Sequence, residues 1–240
     1  MRGDRSTTLR RVADLMRAAI LTGAMPHLLP SEHELQVTYA TSRNVIRDAL
    51  ALLRDEGLIE RQQGSGTSVV GRRFQHRVDR IGGFDPTGAG VGVRRESLSL
   101  AIVPAAPVVV AELRLDDGAD CVMIERLTVT DGGTFGEDEP TSLWTSYLPL
   151  EFTDVMTELT RFDSLHDVIA RVSGSEIEEV RFTVNAGLAS VPVAESIRVQ
   201  VGAPVIRQQR IAVLTDGRVC EFALGWSRGD RLTLNSVRRA

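Results

Sequence analysis

Apolar residues recur at helical spacing near the start of the chain. Leu9, Val12, Ala13, Met16 and Ile20 fall on one face, with Arg10, Arg11, Asp14 and Arg17 on the other. The pattern predicts a first helix that Thr7 or Thr8 caps and Gly23 ends. Ser31 and Glu34 have the spacing of a capping box, which starts a second helix at Ser31 and carries it to about Tyr39. Ser42 caps a third helix with the buried stripe Ile46, Ala49, Leu50 and Leu53, and Gly57 breaks it. Residues 60–63 and 67–70 are short strands around Gly64-Ser65-Gly66, which makes a hairpin. That glycine-rich tip lacks the Lys-Ser/Thr ending of a nucleotide cradle and opens no helix.

The pattern then changes. Residues 72–95 read as a linker, with Arg72, Arg73, Arg77 and Arg80 followed by loop chemistry from Gly82 to Gly90, part of which can order against the segment that follows. Strands are expected at 97–104, 121–130, 141–148, 176–188, 203–214, 218–227 and 231–238. Helices are expected at 107–114, 151–158, 164–173 and 191–199, with Pro107 and Pro192 near two helix starts, where proline is tolerated. Asp216-Gly217 separates two alternating runs as a hairpin turn. The expected fold class is α+β, with a small helical domain and hairpin at 1–71, the linker at 72–95, and a mostly antiparallel sheet with helices at 96–240.

Composition narrows the function. No apolar run approaches the roughly 20 residues that cross a bilayer, and no apolar segment follows Met-Arg-Gly-Asp-Arg-Ser, so the chain is expected to be cytoplasmic and without a membrane partner. Cys121 and Cys220 sit in apolar runs without a CxxC pattern, and the four histidines lack metal-ligand spacing. No metal or cofactor is expected. The net charge of −4 hides an asymmetry: residues 1–77 hold twelve Arg against eight Asp/Glu, and the remainder sixteen against twenty-four. A positive front half suits a polyanion. The chain has no lysine, a usage that points to a GC-rich genome more than to a binding specialisation.

Arg43 and Arg47 are one helical turn apart, with Asn44 beside them and Ile46, Ala49 and Leu53 facing the other way. Taken alone, this is an ordinary solvated face. Behind a capped helix and ahead of a hairpin, it is a surface for reading double-stranded DNA. Arg pairs bidentately with guanine and Asn with adenine, at roughly 1–3 kcal/mol of discrimination each.

The ordered segments Leu29-Pro30-Ser31-Glu32-His33-Glu34-Leu35, Ser42-Arg43 with Val45-Ile46-Arg47-Asp48-Ala49-Leu50, and Glu56-Gly57-Leu58-Ile59-Glu60-Arg61 with Gly64-Ser65-Gly66-Thr67 resemble the winged helix-turn-helix of GntR-family bacterial regulators. The resemblance implies DNA contacts from Ser42, Arg43, Asn44 and Arg47, and from the wing residues Gln63, Gly64 and Gly66. His33 stands where the family usually has a DNA-touching Arg, and Ser65 where many members have a wing Arg. Residues 96–240 resemble the UTRA effector domain of the HutC subfamily through Glu125-Arg126-Leu127, Ser146-Tyr147-Leu148-Pro149, Ser164-Leu165, Gly202-Ala203-Pro204-Val205, Cys220-Glu221-Phe222 and Arg228-Gly229-Asp230-Arg231. That resemblance implies a chorismate-lyase-like fold with a small-molecule pocket. Its effector positions fall on Arg126, Thr128, Trp144, Ser164, Glu221 and Ser227. Thr128 replaces a family Arg, Trp144 a family carboxylate and Ser227 a frequent aromatic, which weakens the case for a phosphorylated ligand. By their own chemistry, Arg126 can simply pair with an acid, Ser164 can only cap its helix, and Trp144 can be core.

The expectation is a non-enzymatic transcriptional regulator. As a homodimer it would repress at an inverted-repeat operator and respond to a small metabolite. The alternatives are a ligand-independent DNA-binding dimer and a lyase-like enzyme using Glu221 with Arg126.

Overall fold

The computed structural model describes residues 2–62, 66–70, 74–77, 84–85, 93–130, 138–159 and 164–236. The chain divides into two compact units, Met1–Arg73 and Phe74–Ala240.

The first unit holds α1 (Arg2–Leu21), α2 (Glu32–Thr38), α3 (Arg43–Asp55) and the antiparallel pair β1 (Ile59–Gln62) and β2 (Gly66–Val69). The predicted stripes close one core, in which Val12, Ala13 and Met16 of α1 meet Leu35 of α2 and Ile46, Ala49 and Leu53 of α3. The capping box forms in full: Glu34 N donates to Ser31 Oγ, and Ser31 N donates to Glu34 Oε2 at 2.8 Å. Gly57 leaves α3 at φ +67°, a left-handed position that glycine takes without a Cβ clash. Residues 27–29 run beside β2, with Val69 N donating to the His27 carbonyl and Leu29 N to the Thr67 carbonyl, both at 2.8 Å. One expectation needs correcting. Helix α1 starts at Arg2 and not at Thr7 or Thr8. The apolar stripe begins only at Leu9, so periodicity marks where the helix packs, not where it begins.

The second unit is built on a six-stranded antiparallel sheet in the order β5-β6-β7-β10-β9-β8. The strands are β5 (Val93–Pro104), β6 (Asp120–Thr130), β7 (Glu139–Pro149), β8 (Ile177–Leu188), β9 (Pro204–Leu214) and β10 (Val219–Arg228). One face carries Val122, Ile124, Leu148, Ala212 and Leu214 against α5 (Val155–Glu158) and α6 (Leu165–Ser173). Cys121, Phe222 and Val219 pack on α4 (Pro107–Leu113), and Val205 packs on α7 (Val191–Ser196). Both cysteines are buried, and burial pushes the Cys220 thiol up to about 12, so neither offers a ready thiolate.

Several boundaries differ from the sequence pattern. The helix expected at 151–158 is a 3₁₀ turn at Leu150–Phe152 followed by the short α5. The helix expected to reach residue 199 ends at Ser196, and Arg198 takes φ +51°. β5 begins at Val93, inside the segment read as linker, where charged Arg94 and Glu96 alternate on an edge strand. The same segment holds β3 (Phe74–Arg77) and β4 (Phe84–Asp85). β3 pairs in parallel with β11 (Leu232–Asn235), a partnership across the whole unit that no local pattern reveals. Arg231 donates to both Glu139 oxygens, and Arg228 to both Asp230 oxygens, which ties the turn before β11 to the start of β7.

Candidate DNA-reading surface and effector site

On the first unit, Ser42 occupies the N-cap of α3, but its exposed hydroxyl makes no cap bond. No first-turn backbone N–H holds it, and the oxygen is exposed at the helix N-terminus, where backbone N–H groups favour an anion. Arg43, Asn44 and Arg47 are exposed along the first turns of α3, opposite the buried Val45, Ile46 and Ala49. His33 is exposed on α2. A cleft runs between α3 and the hairpin, lined by Asn44, Arg47, Arg54, Arg61 and Thr67 together with the acids Glu32 and Asp48. Gly66 takes φ +98° where β2 begins, and a Cβ there would sit 3.2 Å from Leu28 Cδ1. Gln63 and Gly64 lie outside the described residues.

Arg43 and Arg47 share one partner. Arg43 Nε donates to Glu32 Oε2 at 2.9 Å, and Arg47 Nε lies 3.9 Å from Glu32 Oε1.

On the second unit, strand alternation and register place Arg126, Thr128, Trp144, Glu221 and Ser227 on one face of the sheet, the face that α6 covers further along. Glu221 is fully buried and both its oxygens are taken. Oε1 accepts from Ser146 Oγ and Arg210 Nη2, each at 2.7 Å, while Oε2 accepts from Arg210 Nε at 2.8 Å and lies 2.9 Å from His166 Nε2. Burial alone would raise its pKa, but the Arg210 guanidinium, then His166, hold it well below the usual carboxylate range.

Trp144 lies across β10 at Gly225, its register partner, and reaches towards Phe182 of β8, at 6.4 Å between ring centroids. The Arg210 guanidinium stacks over the indole, 4.7 Å from its centroid. Glycine is needed at 225, because a Cβ there would sit 2.7 Å from three indole carbons. Gly225→Ala is accordingly expected to lift the indole and loosen the Arg210 stack. The expected result is a changed tryptophan emission spectrum and a loss of about 1–3 kcal/mol in urea unfolding. An unchanged spectrum with wild-type stability would contradict this packing.

A second polar cluster lies along the same face. Ser142 and Ser227 hydroxyls are 2.7 Å apart, and Gln208 Nε2 donates to Ser227 Oγ at 2.6 Å. Arg126 and Thr128 are buried beside Trp144 and Ser142, their register neighbours on β7. Ser164 caps α6 by accepting from Asp167 N at 3.3 Å and retains its hydroxyl proton for donation. The face thus joins five of the six sequence-expected positions, with Ser164 opening the helix from which His166 reaches Glu221.

Arg210, His166, Ser146, Ser142 and Gln208 were not among the residues expected from sequence. For two of them a sequence cue exists. Gln208 and Arg210 alternate in step with Ala212 and Leu214 on β9, so they share a face with core residues, and a charge there requires a partner. Ser146 has a weaker cue of the same kind, in step with Leu148 on β7, and His166 has none, because its role depends on where α6 lies over the sheet.

The gntR family model of bacterial regulatory proteins matches residues 8–69, and the UTRA domain model matches residues 88–233. Among relatives, the HTH-type transcriptional repressor NagR of Bacillus subtilis (strain 168) is 26% identical over 207 residues, 85% of this chain and 83% of that protein. The mannosyl-D-glycerate transport/metabolism system repressor MngR of Escherichia coli (strain K12) is 23% identical over 218 residues, 89% of this chain and 88% of that protein. The crystal structure of PhnF from Mycobacterium smegmatis is similar in fold, with a TM-score of 0.63 at 23% identity, over 95% of this chain and 99% of that one.

Proposed function

Because the chain belongs to the UTRA-domain family and carries a GntR-type helix-turn-helix ahead of that domain, we propose that this transcriptional regulator represses by binding an inverted-repeat operator as a homodimer and is modulated by a small polar metabolite. The fold and the relatives are those of transcriptional regulators and not of enzymes. The observation that carries the DNA side is the exposed set Arg43, Asn44 and Arg47 at the start of α3, beside a cleft with two further arginines. Two such helices about one helical turn apart would read a two-fold symmetric site. His33, Ser42 and the wing residues Gln63, Gly64 and Gly66 are proposed to add backbone and groove contacts.

The effector is proposed to bind over the face that presents Arg126, Thr128, Trp144, Ser142 and Gln208, near the α6 N-terminus at Ser164. Glu221 acts there through Arg210, since its own oxygens are occupied. A ligand that binds one arrangement of the DNA-binding units more tightly than another shifts the operator equilibrium by that difference.

The test is fluorescence anisotropy with duplexes from the region upstream of the protein's own gene, against a scrambled duplex. Sequence-selective, salt-sensitive binding is expected, and its absence with folded protein would overturn the proposal. A thermal-shift screen of sugars, sugar acids and sugar phosphates tests the effector. One observation favours a ligand-independent regulator instead: Glu221 is already satisfied by Ser146, Arg210 and His166, and Ser227 by Ser142 and Gln208. A flat screen alongside selective DNA binding would select that reading.

A further inference from the structure

Glu32 is the first residue of α2 and does not belong to the capping box that Ser31 and Glu34 form beside it. The box fixes the backbone from which Glu32 projects, while Glu34 spends its carboxylate on Ser31. Glu32 turns the other way, towards α3, where its two oxygens face Arg43 at 2.9 Å and Arg47 at 3.9 Å. Arg43 and Arg47 are 69% and 65% exposed, so these pairs stabilise the fold very little. Their consequence lies on the surface. Each pairing engages Glu32 through Nε and does not use the Nη groups of these exposed side chains.

We infer that Glu32 is a specificity-determining residue that positions Arg43 and Arg47 for base edges and keeps them from the phosphate backbone. The inference rests on the DNA-reading role proposed above. Arg43, hydrogen-bonded to the carboxylate, loses rotamer freedom before binding, and Arg47 is drawn to the same group at ion-pair range, which favours a bidentate contact with guanine. A carboxylate at the DNA face also repels phosphates, which lowers affinity for every sequence alike. That uniform penalty leaves the ratio of selected to non-selected binding unchanged, so selectivity comes from the positioning. Neither effect requires Glu32 itself to touch a base.

The experiment uses the full chain and a duplex that it selects from a random-sequence pool, compared with a scrambled duplex of the same length. Affinities are measured across a salt series for the wild type, Glu32→Gln and Glu32→Asp. For Glu32→Gln, binding to the scrambled duplex should tighten while binding to the selected duplex weakens, so that their ratio falls about tenfold, the lower part of the range for one bidentate contact. The salt dependence of scrambled-duplex binding should steepen as released arginines meet phosphates. Glu32→Asp keeps the charge but withdraws the carboxylate by one methylene, and should lose selectivity too. If both variants keep the wild-type ratio with unchanged melting temperatures, the inference is overturned while DNA recognition stands. If Glu32→Asp matches the wild type and only Glu32→Gln changes, charge alone acts and the positioning role is overturned. Failure of the wild type to select any duplex would overturn this inference together with the DNA-reading role.

Discussion

Glu221→Leu is expected to destabilise the second unit by about 3–5 kcal/mol, which is the cost of stranding one member of a buried ion pair. The side chain of Arg210 is 17% exposed and that of Glu221 is 0% exposed, so the guanidinium has little access to water once its partner is gone. His166 and Ser146 lose an acceptor in the same step. Both tryptophans, Trp144 and Trp226, lie in this unit, so their fluorescence isolates its urea transition from that of the helical unit. The companion Glu221→Leu/Arg210→Met should recover most of the loss, because it removes both charges and leaves no ion unpaired. A single variant as stable as the wild type would refute the view that this pair organises the sheet face.

The same network sets an acid limb. Glu221 is held below its ordinary pKa of 4.5, because Arg210 and His166 outweigh the opposing effect of burial. A carboxyl with a depressed folded pKa contributes stability above its unfolded value and loses it as pH falls through the folded one. The wild type should therefore keep this contribution at neutral pH and lose it progressively below about pH 4.5, the ordinary value from which Glu221 is shifted. The Glu221→Leu variant should lack that part of the decline.

Most of this architecture is legible in the sequence for a physical reason. Amphipathic helices and half-buried strands carry their own periods, so Ile46-Ala49-Leu53 and Val122-Ile124 announce which side is core. The capping box at Ser31 and Glu34 is a local hydrogen-bonding event and is legible for the same reason. What the periods do not encode is partnership at long range. The parallel pairing of Phe74–Arg77 with Leu232–Asn235 joins segments far apart in sequence, and a glycine-rich stretch beside one of them reads as linker. The effector face shows the same division. Trp144 and Glu221 are visible by position, but the charge that neutralises Glu221 comes from β9, two residues before Ala212, where only the register makes Arg210 its neighbour. A family position can also be kept without facing a ligand: Glu221 faces inward to Arg210, Ser146 and His166, so its presence does not establish a contact with ligand.

Arg47→Ala and Arg43→Ala should each weaken binding to a selected duplex by about 5- to 150-fold, the equivalent of 1–3 kcal/mol for one lost bidentate contact, and by more where a dimer loses it twice. Neither should move the melting temperature, since both side chains are about two-thirds exposed and sit opposite the buried stripe of α3. That separation of binding from stability is the diagnostic result, because Ile46 and Leu53 on the same helix are fully buried and their truncation would unfold the unit. Lysine at either position sharpens the test. It keeps the charge but not the planar fork, so scrambled-duplex binding should persist while preference for the selected duplex falls. If lysine restores full selectivity, the planar fork is not required and the bidentate arginine reading is overturned.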